Sequence, residues 1–282
     1  MAFKLGTEEA AGKKNWLSLR TGRLCLTSND ELPGYKPAYT ENKSGEKTHF
    51  FAKEFESVVA YIDDMRWHVK EFDNGAKTSG WNIALNTGDS ETSFMFTISD
   101  KERPFNRLMS ALASCDFTQP VKLVGFKGRD GNKVLLVYQD DTPGAKPVSP
   151  KYQERWLSQD LIKKLKAGQP LSDDEKQRLA YDAAGNIVPR MTYDDTTGEL
   201  SKTGFPYITQ SPDGKWSTAV WTVFLKEKME QDVIPAIKAA AAQRLKEGAK
   251  HLATGTAKSA PADPYGDFPE GPAEPEDDVI PF

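Results

Sequence analysis

A chain of 282 residues is long enough for one sizeable domain, or two small ones, followed by a tail. No run of eighteen apolar residues occurs, and Cys25 and Cys115 form no CxxC, which excludes a spanning helix and a disulfide scaffold. Net charge is −4 but unevenly placed: residues 261–282 hold seven acids and no base, leaving 37 bases and 34 acids in the first 260, a faintly basic body.

The first twenty residues are charged and lack an apolar run, so no secretory signal is expected and the setting reads as cytosolic and reducing. Residues 16–28 alternate apolar and polar on both sides of Thr21-Gly22, the pattern of a β-hairpin. Residues 29–47 are polar and turn-rich, and read as a loop. From His49 to Phe72 aromatics and valines favour strand, with Met65, Trp67 and Val69 on one face and Arg66, His68 and Lys70 on the other. Trp81–Leu85 and Phe94–Ile98 read as two further strands. Pro104 opens a short helix to about Ser114, with Phe105, Leu108, Met109 and Leu112 at helical spacing. A second hairpin, Val121–Phe126 and Lys133–Tyr138, closes around Arg129–Asn132.

Residues 143–152 are proline-rich and read as a link. Ser158–Ala167 and Ser172–Tyr181 read as short helices, the second with capping-box spacing at Ser172–Glu175. Residues 183–214 carry turn signals that fit a hairpin or an ordered loop. Ser217 to about Leu252 reads as helix, with Val220, Val223, Phe224 and Leu225 as its apolar face and Pro235 as a break. Residues 255–282 are expected to be disordered.

That final stretch ends Glu276-Asp277-Asp278-Val279-Ile280-Pro281-Phe282. A tail that only solubilises would be acidic and proline-rich too, but it has no reason to finish on apolar residues. Acids followed by a terminal aromatic suit capture in an apolar pocket rimmed by Lys or Arg. Residues 274–282 resemble the C-terminal tip of bacterial-type single-stranded DNA-binding proteins (SSBs), in which an acidic run closes on Ile-Pro-Phe; Val279 stands where that pattern has another acid. About five strands with one helix between the third and fourth is also the order of an oligonucleotide-binding (OB) barrel. The barrel sequence does not match the bacterial SSBs, so the resemblance is to a divergent, phage-encoded member. It implies an α+β chain in three parts: an OB-fold-like antiparallel β-barrel over residues 1–142, additional C-terminal helices packed on it over 143–254, and a disordered acidic tail over 255–282.

Sequence-independent binding of single strands needs cations for phosphates and aromatic faces for bases. The candidate cations are Arg20, Arg23, Arg66, His68, Lys70, Lys122, Lys127, Arg129 and Lys133; the candidate aromatic residues are Trp67, Trp81, Phe126 and Tyr138, while Phe94 and Phe96 are assigned to the core. The same cations could equally be a solvated face. The resemblance further implies partners from replication, recombination or repair that dock on Glu276–Phe282.

No enzyme constellation competes with this reading. His49, His68 and His251 lie on separate elements without metal-ligand spacing to the cysteines, and no phosphate-cradling glycine motif, nucleophile elbow or HExxH occurs. Asp63-Asp64, Asp140-Asp141 and Asp194-Asp195 read as solvated pairs, so no metal, cofactor or catalysis is expected. Two rivals remain open: a nuclease or processing factor that uses the tip only for docking, and a tip-mimicking interaction protein that does not bind DNA.

Overall fold

The computed structural model describes residues 15–41, 45–72, 75–88, 93–140, 142, 144–194, 196–197 and 199–253, with side chains to 247. The tail read as disordered, its tip Glu276–Phe282 included, lies outside the described residues, as do Asp141 and Asp195.

Thr21 and Gly22 both have positive φ, 48° and 91°, the type I′ geometry that follows the twist of a tight hairpin. They join β1 (Asn15–Arg20) to β2 (Arg23–Ser28), as their alternation predicts. The segment read as a loop instead contains a strand, β3 (Lys36–Glu41), paired antiparallel with β4 (Lys47–Phe55). Pro37 is tolerated because β3 is the outermost strand. The apolar run from His49 to Phe72 breaks at Glu56 into β4 and the long β5 (Ser57–Glu71). After β6 (Lys77–Asn86) and β7 (Ser93–Ser99) come α1 (Phe105–Leu112), β8 (Val121–Lys127) and β9 (Lys133–Tyr138).

These strands form one curled sheet in the order β3-β4-β2-β1-β7-β6-β5-β8-β9. It departs from an all-antiparallel arrangement at one place, where β1 runs parallel to β7. Curling brings the first hairpin turn onto β8. A Cβ on Gly22 would lie 2.5 Å from the Lys127 amide nitrogen, and one on Gly125 would lie 2.7 Å from the Gly22 carbonyl oxygen. Only glycine allows that approach. Leu17, Phe96, Ile83 and Met65 are aligned neighbours across four strands and all are buried on the inner face, where α1 contributes Phe105, Leu108, Met109 and Leu112.

Beyond β9 the proline-rich link follows the sheet, its Val148 amide donating to the Val137 carbonyl and its Tyr152 amide to Ser110 Oγ. A small sheet, β10 (Trp156–Leu157), β11 (Ile208–Gln210) and β12 (Trp216–Ser217), encloses α2 (Gln159–Lys166) and α3 (Asp173–Gln177) in the chain. The predicted capping box at Ser172 and Glu175 is formed, although α3 stops at Gln177. Further on, single bridges join Tyr181 with Ile187, Tyr193 with Leu200 and Arg190 with Phe205.

The long helix is interrupted as Pro235 requires. Between α4 (Ala219–Lys228) and α5 (Ile234–Ala253) lies a π-helical turn, Met229–Val233, which lets the Ile234 amide reach the Met229 carbonyl just before a residue with no N–H. The buried stripe differs from the predicted face. It is Trp221, Leu225, Met229, Val233, Ile237 and Ala240, spaced by four and then three, and it joins the same core as the sheet. Arg244 of α5 fastens this layer to β5: it donates to the Phe117 and Ile62 carbonyls and pairs with Asp63 at 2.7 Å, beside the irregularity between Ile62 and Asp64. Among the described residues no helix is long and apolar enough to cross a membrane.

Candidate nucleic-acid interface

A cleft of about 660 Å³ opens where the first hairpin, the β3–β4 ribbon and the tip of the β8–β9 hairpin meet. Arg20, Tyr39, Phe50, Lys127 and Lys133 line it, with Glu54 and Glu102 as carboxylates in the wall. The tip is fixed by the Gly128 amide donating to the Asn132 carbonyl and by Asp130, whose carboxylate accepts from the Asn132 amide.

The Arg20 guanidinium lies 4.5 Å above the Phe50 ring, and the Lys47 ammonium lies 4.6 Å above Tyr39. Such contacts hold cation and ring together without consuming the cation's charge. Lys133 Nζ donates to the Leu19 carbonyl at 3.1 Å, which places its charge at the base of the hairpin turn. The floor includes Cys25; burial, helped by the Glu54 carboxylate, pushes its thiol up to about 11, so it is neutral at ordinary pH and chemically quiet. Cys115 is pushed up to about 12 by burial. The cleft offers phosphate-pairing cations and partly exposed rings at its rim, the two elements of single-strand binding.

Arg20, Lys127 and Lys133 are brought together, and Arg129 sits exposed in the same hairpin turn. Arg23 is close in register to Arg20 but is ion-paired with Glu56 at 2.7 Å. Phe126 is exposed at the end of β8 near this rim. Lys122 and Tyr138 face each other at the opposite end of the hairpin from the Lys127–Lys133 pair. Five residues of strand, about 17 Å, separate them from the cleft. Arg66, His68 and Lys70 lie on β5, Arg66 paired with Asp64 at 2.6 Å and Lys70 Nζ 5.2 Å from the Phe72 ring. Trp16, Met95, Ala84 and Asp64 form one row across β1, β7, β6 and β5, so the Arg66 strip is about three strand spacings, or 14 Å, from β1.

Two aromatic candidates are corrected. Trp81 is fully buried, edge-on to Trp67 at 5.2 Å, and its Nε1 has no acceptor among the described residues. A base cannot reach it. Trp67 turns to the same inner side, edge-on to Phe105, with Lys226 Nζ 5.5 Å from its ring. It is partly buried against the core on that inner side, instead of standing with the cations of the cleft. His68 is half buried, its Nδ1 buried without a partner among the described residues, which ill suits a phosphate contact. Phe94 and Phe96 are buried, in agreement with their assignment to the core.

Sequence reasoning missed Tyr39, Phe50 and the exposed Trp16. Tyr39 was hidden because Pro37, Gly34 and the polar residues around them read as turn chemistry, although Ala38-Tyr39-Thr40 and Thr48-His49-Phe50 flanking Gly45 carry the composition of a hairpin. Phe50 belonged to a predicted strand, but its exposure depends on what packs against β4. Among the described residues no group of three or more His, Cys, Asp and Glu side chains converges to hold a metal ion. Compared with protein-family models, curated proteins and solved structures, the chain matches none.

Proposed function

We propose that the protein binds single-stranded DNA without reading its sequence, coats and protects it during replication or recombination, and recruits partner proteins through Glu276–Phe282. It acts without catalysis, in the cytoplasm of a bacterial host. The observation that carries the reading is the convergence of Arg20, Lys127 and Lys133 with Tyr39 and Phe50 in one cleft. Support also comes from β5, β6, β7, α1, β8 and β9, which follow the strand and helix order of an OB barrel. The β8–β9 tip then corresponds to the last barrel loop, one of those that contact ligand in OB folds. The open edges at β3 and β9 distinguish the sheet from a fully closed barrel.

Anisotropy of a labelled oligo(dT), titrated at increasing salt, tests the reading. Binding should be tight at low salt and weaken as salt rises, with a logarithmic slope of about −0.7 per phosphate neutralised. The K127A/K133A variant should lose affinity at low salt and flatten that slope by about 1.4. No binding by the parent protein at low salt would refute the proposal. The acidic tail is tethered to the same cations and competes with DNA for them. Deleting residues 274–282 should therefore leave DNA affinity equal or higher at low salt and abolish partner binding; weaker DNA binding by the folded truncation would sink the competition.

A further inference from the structure

Trp156 and Trp216 are both exposed, on β10 and β12, with ring centroids 5.1 Å apart and planes at 76°. They flank a cleft of about 440 Å³ whose other walls include Arg155 and Arg178. Two neighbouring indoles that keep about two-fifths of their surface in water, beside two guanidinium groups, form an apolar patch that a ligand could cover.

The pair is not isolated from the cleft already described. A third cleft, about 770 Å³, links them: Lys101, Arg103, Arg107, Lys133 and Trp156 line it together with Asp100, Glu102, Asp130 and Glu154. Lys133 lines both the Arg20 cleft and this one, and Trp156 lines both this one and the tryptophan cleft. Cations therefore follow one another from the β8–β9 tip along the start of α1 to the two indoles.

Of the carboxylates on this path, Asp130 takes up the charge of one of the path's own cations, while Asp100 and Glu102 accept from neutral donors and keep theirs. Asp130 pairs with Arg103 at 3.5 Å, Asp100 accepts from Ser79 Oγ, and Glu102 accepts from the Ser99 amide. Burial pushes the Glu154 carboxyl pKa up, against hydrogen bonds from the Trp156 and Asn106 side chains and the charge of Arg107, which favour its ionised form.

We infer that single-stranded DNA leaving the Arg20–Lys133 cleft continues past Arg103 and Arg107 and stacks bases on Trp156 and Trp216, so that the region after β9 lengthens the binding footprint. This rests on the proposed DNA-binding function and adds a second stacking site to it. The occupant is a single strand because three linked clefts put cations along a path that ends on a pair of exposed indoles, which suits a chain of phosphates and bases.

The test uses the full chain and labelled oligo(dT) of about 8 and about 25 nucleotides, shorter and longer than the roughly 16 nucleotides one OB fold covers at most. For the parent protein the longer strand should bind more tightly. In W156A/W216A, affinity for the short strand should stay within about twofold while affinity for the long strand falls by about tenfold or more, the loss expected when a stacked base is released. W156F/W216F, which keeps aromatic faces, should recover most of it. Unchanged long-strand affinity in W156A/W216A with an unchanged melting temperature would overturn the inference, and so would an equal loss on both lengths. Tighter binding of both lengths would also overturn it, by showing that the acidic tail, not DNA, occupies the indoles. Failure of the parent to bind either strand would instead refute the function on which the inference depends.

Discussion

From Leu17 to Val137 the curled sheet buries a continuous set of large apolar side chains, and Trp221, Leu225 and Met229 of the last helices join it. Between 157 and 207, Leu157, Leu161, Leu179 and Tyr207 form a separate small buried cluster. What that region lacks in apolar burial it replaces with short-range polar bonds. The Tyr207 hydroxyl donates to the Val188 carbonyl and accepts from the Ala180 amide. Asp182, Asp194 and Asp213 accept from amides two to four residues on, each closing a turn. The two regions therefore respond to different insults: the sheet to loss of packing, the extension to loss of carboxylate charge. The candidate footprint crosses both, with a rigid end at Lys133 and a more easily loosened end at Trp216.

The largest test of this difference is Trp81→Ala. Removing a fully buried indole should cost about 3–5 kcal/mol and lower the urea midpoint of the whole molecule. An effect confined to residues near Trp81 would show that the sheet and helices α4 and α5 do not unfold as one unit.

Leu161→Ala should cost less, about 2–3 kcal/mol, and locally. Hydrogen exchange is expected to quicken across residues 157–210 while β6 and β7 keep their protection. Equal loss of protection in the sheet would merge the two regions into one cooperative unit.

The smallest effect is that of acid. Asp182 and Asp194 are held below the usual carboxylate range mainly by backbone amides, and Asp213 mainly by the Ser211 hydroxyl and Lys215. A carboxyl whose pKa is lowered by folding stabilises the fold above its unfolded value, about 3.9, and loses that contribution as pH falls through the lower folded value. Exchange measured from pH 6 downward, corrected for the intrinsic rate, should show residues 180–215 loosening below about pH 4 before β6 and β7 do. Simultaneous loosening would mean that these turns do not govern the extension's stability.

Much of the local structure was legible because its causes are local. Thr21-Gly22 and Arg129–Asn132 mark hairpins by turn chemistry, Ser172 and Glu175 sit at capping-box spacing, and Pro235 forbids a continuous helix whatever surrounds it. The strand β3 was missed because Gly34 and Pro37 read as turn chemistry and neither face of Lys36–Glu41 is wholly apolar; β4 offers it a free edge. The candidate cleft was half legible. Arg20, Lys127 and Lys133 stood out as cations beside turns, but Tyr39 comes from a segment read as a loop, and the exposure of Phe50 depends on what packs against β4.

The amino-acid sequence by itself determined the hairpins, the helix starts, the break at Pro235, the charge imbalance between body and tail, and the acidic ending on Ile280-Pro281-Phe282. Tertiary structure alone decided which tryptophans are buried. Trp81 and Trp156 both stand on strands beside one polar neighbour, yet Trp81 is fully buried in the core of the curled sheet and Trp156 is exposed. It also decided that Lys133 meets Arg20, 113 positions away in the chain, because Gly22 and Gly125 let two backbones approach more closely than any side chain would permit. Period and turn chemistry act over a few residues, whereas burial and convergence depend on contacts between distant segments.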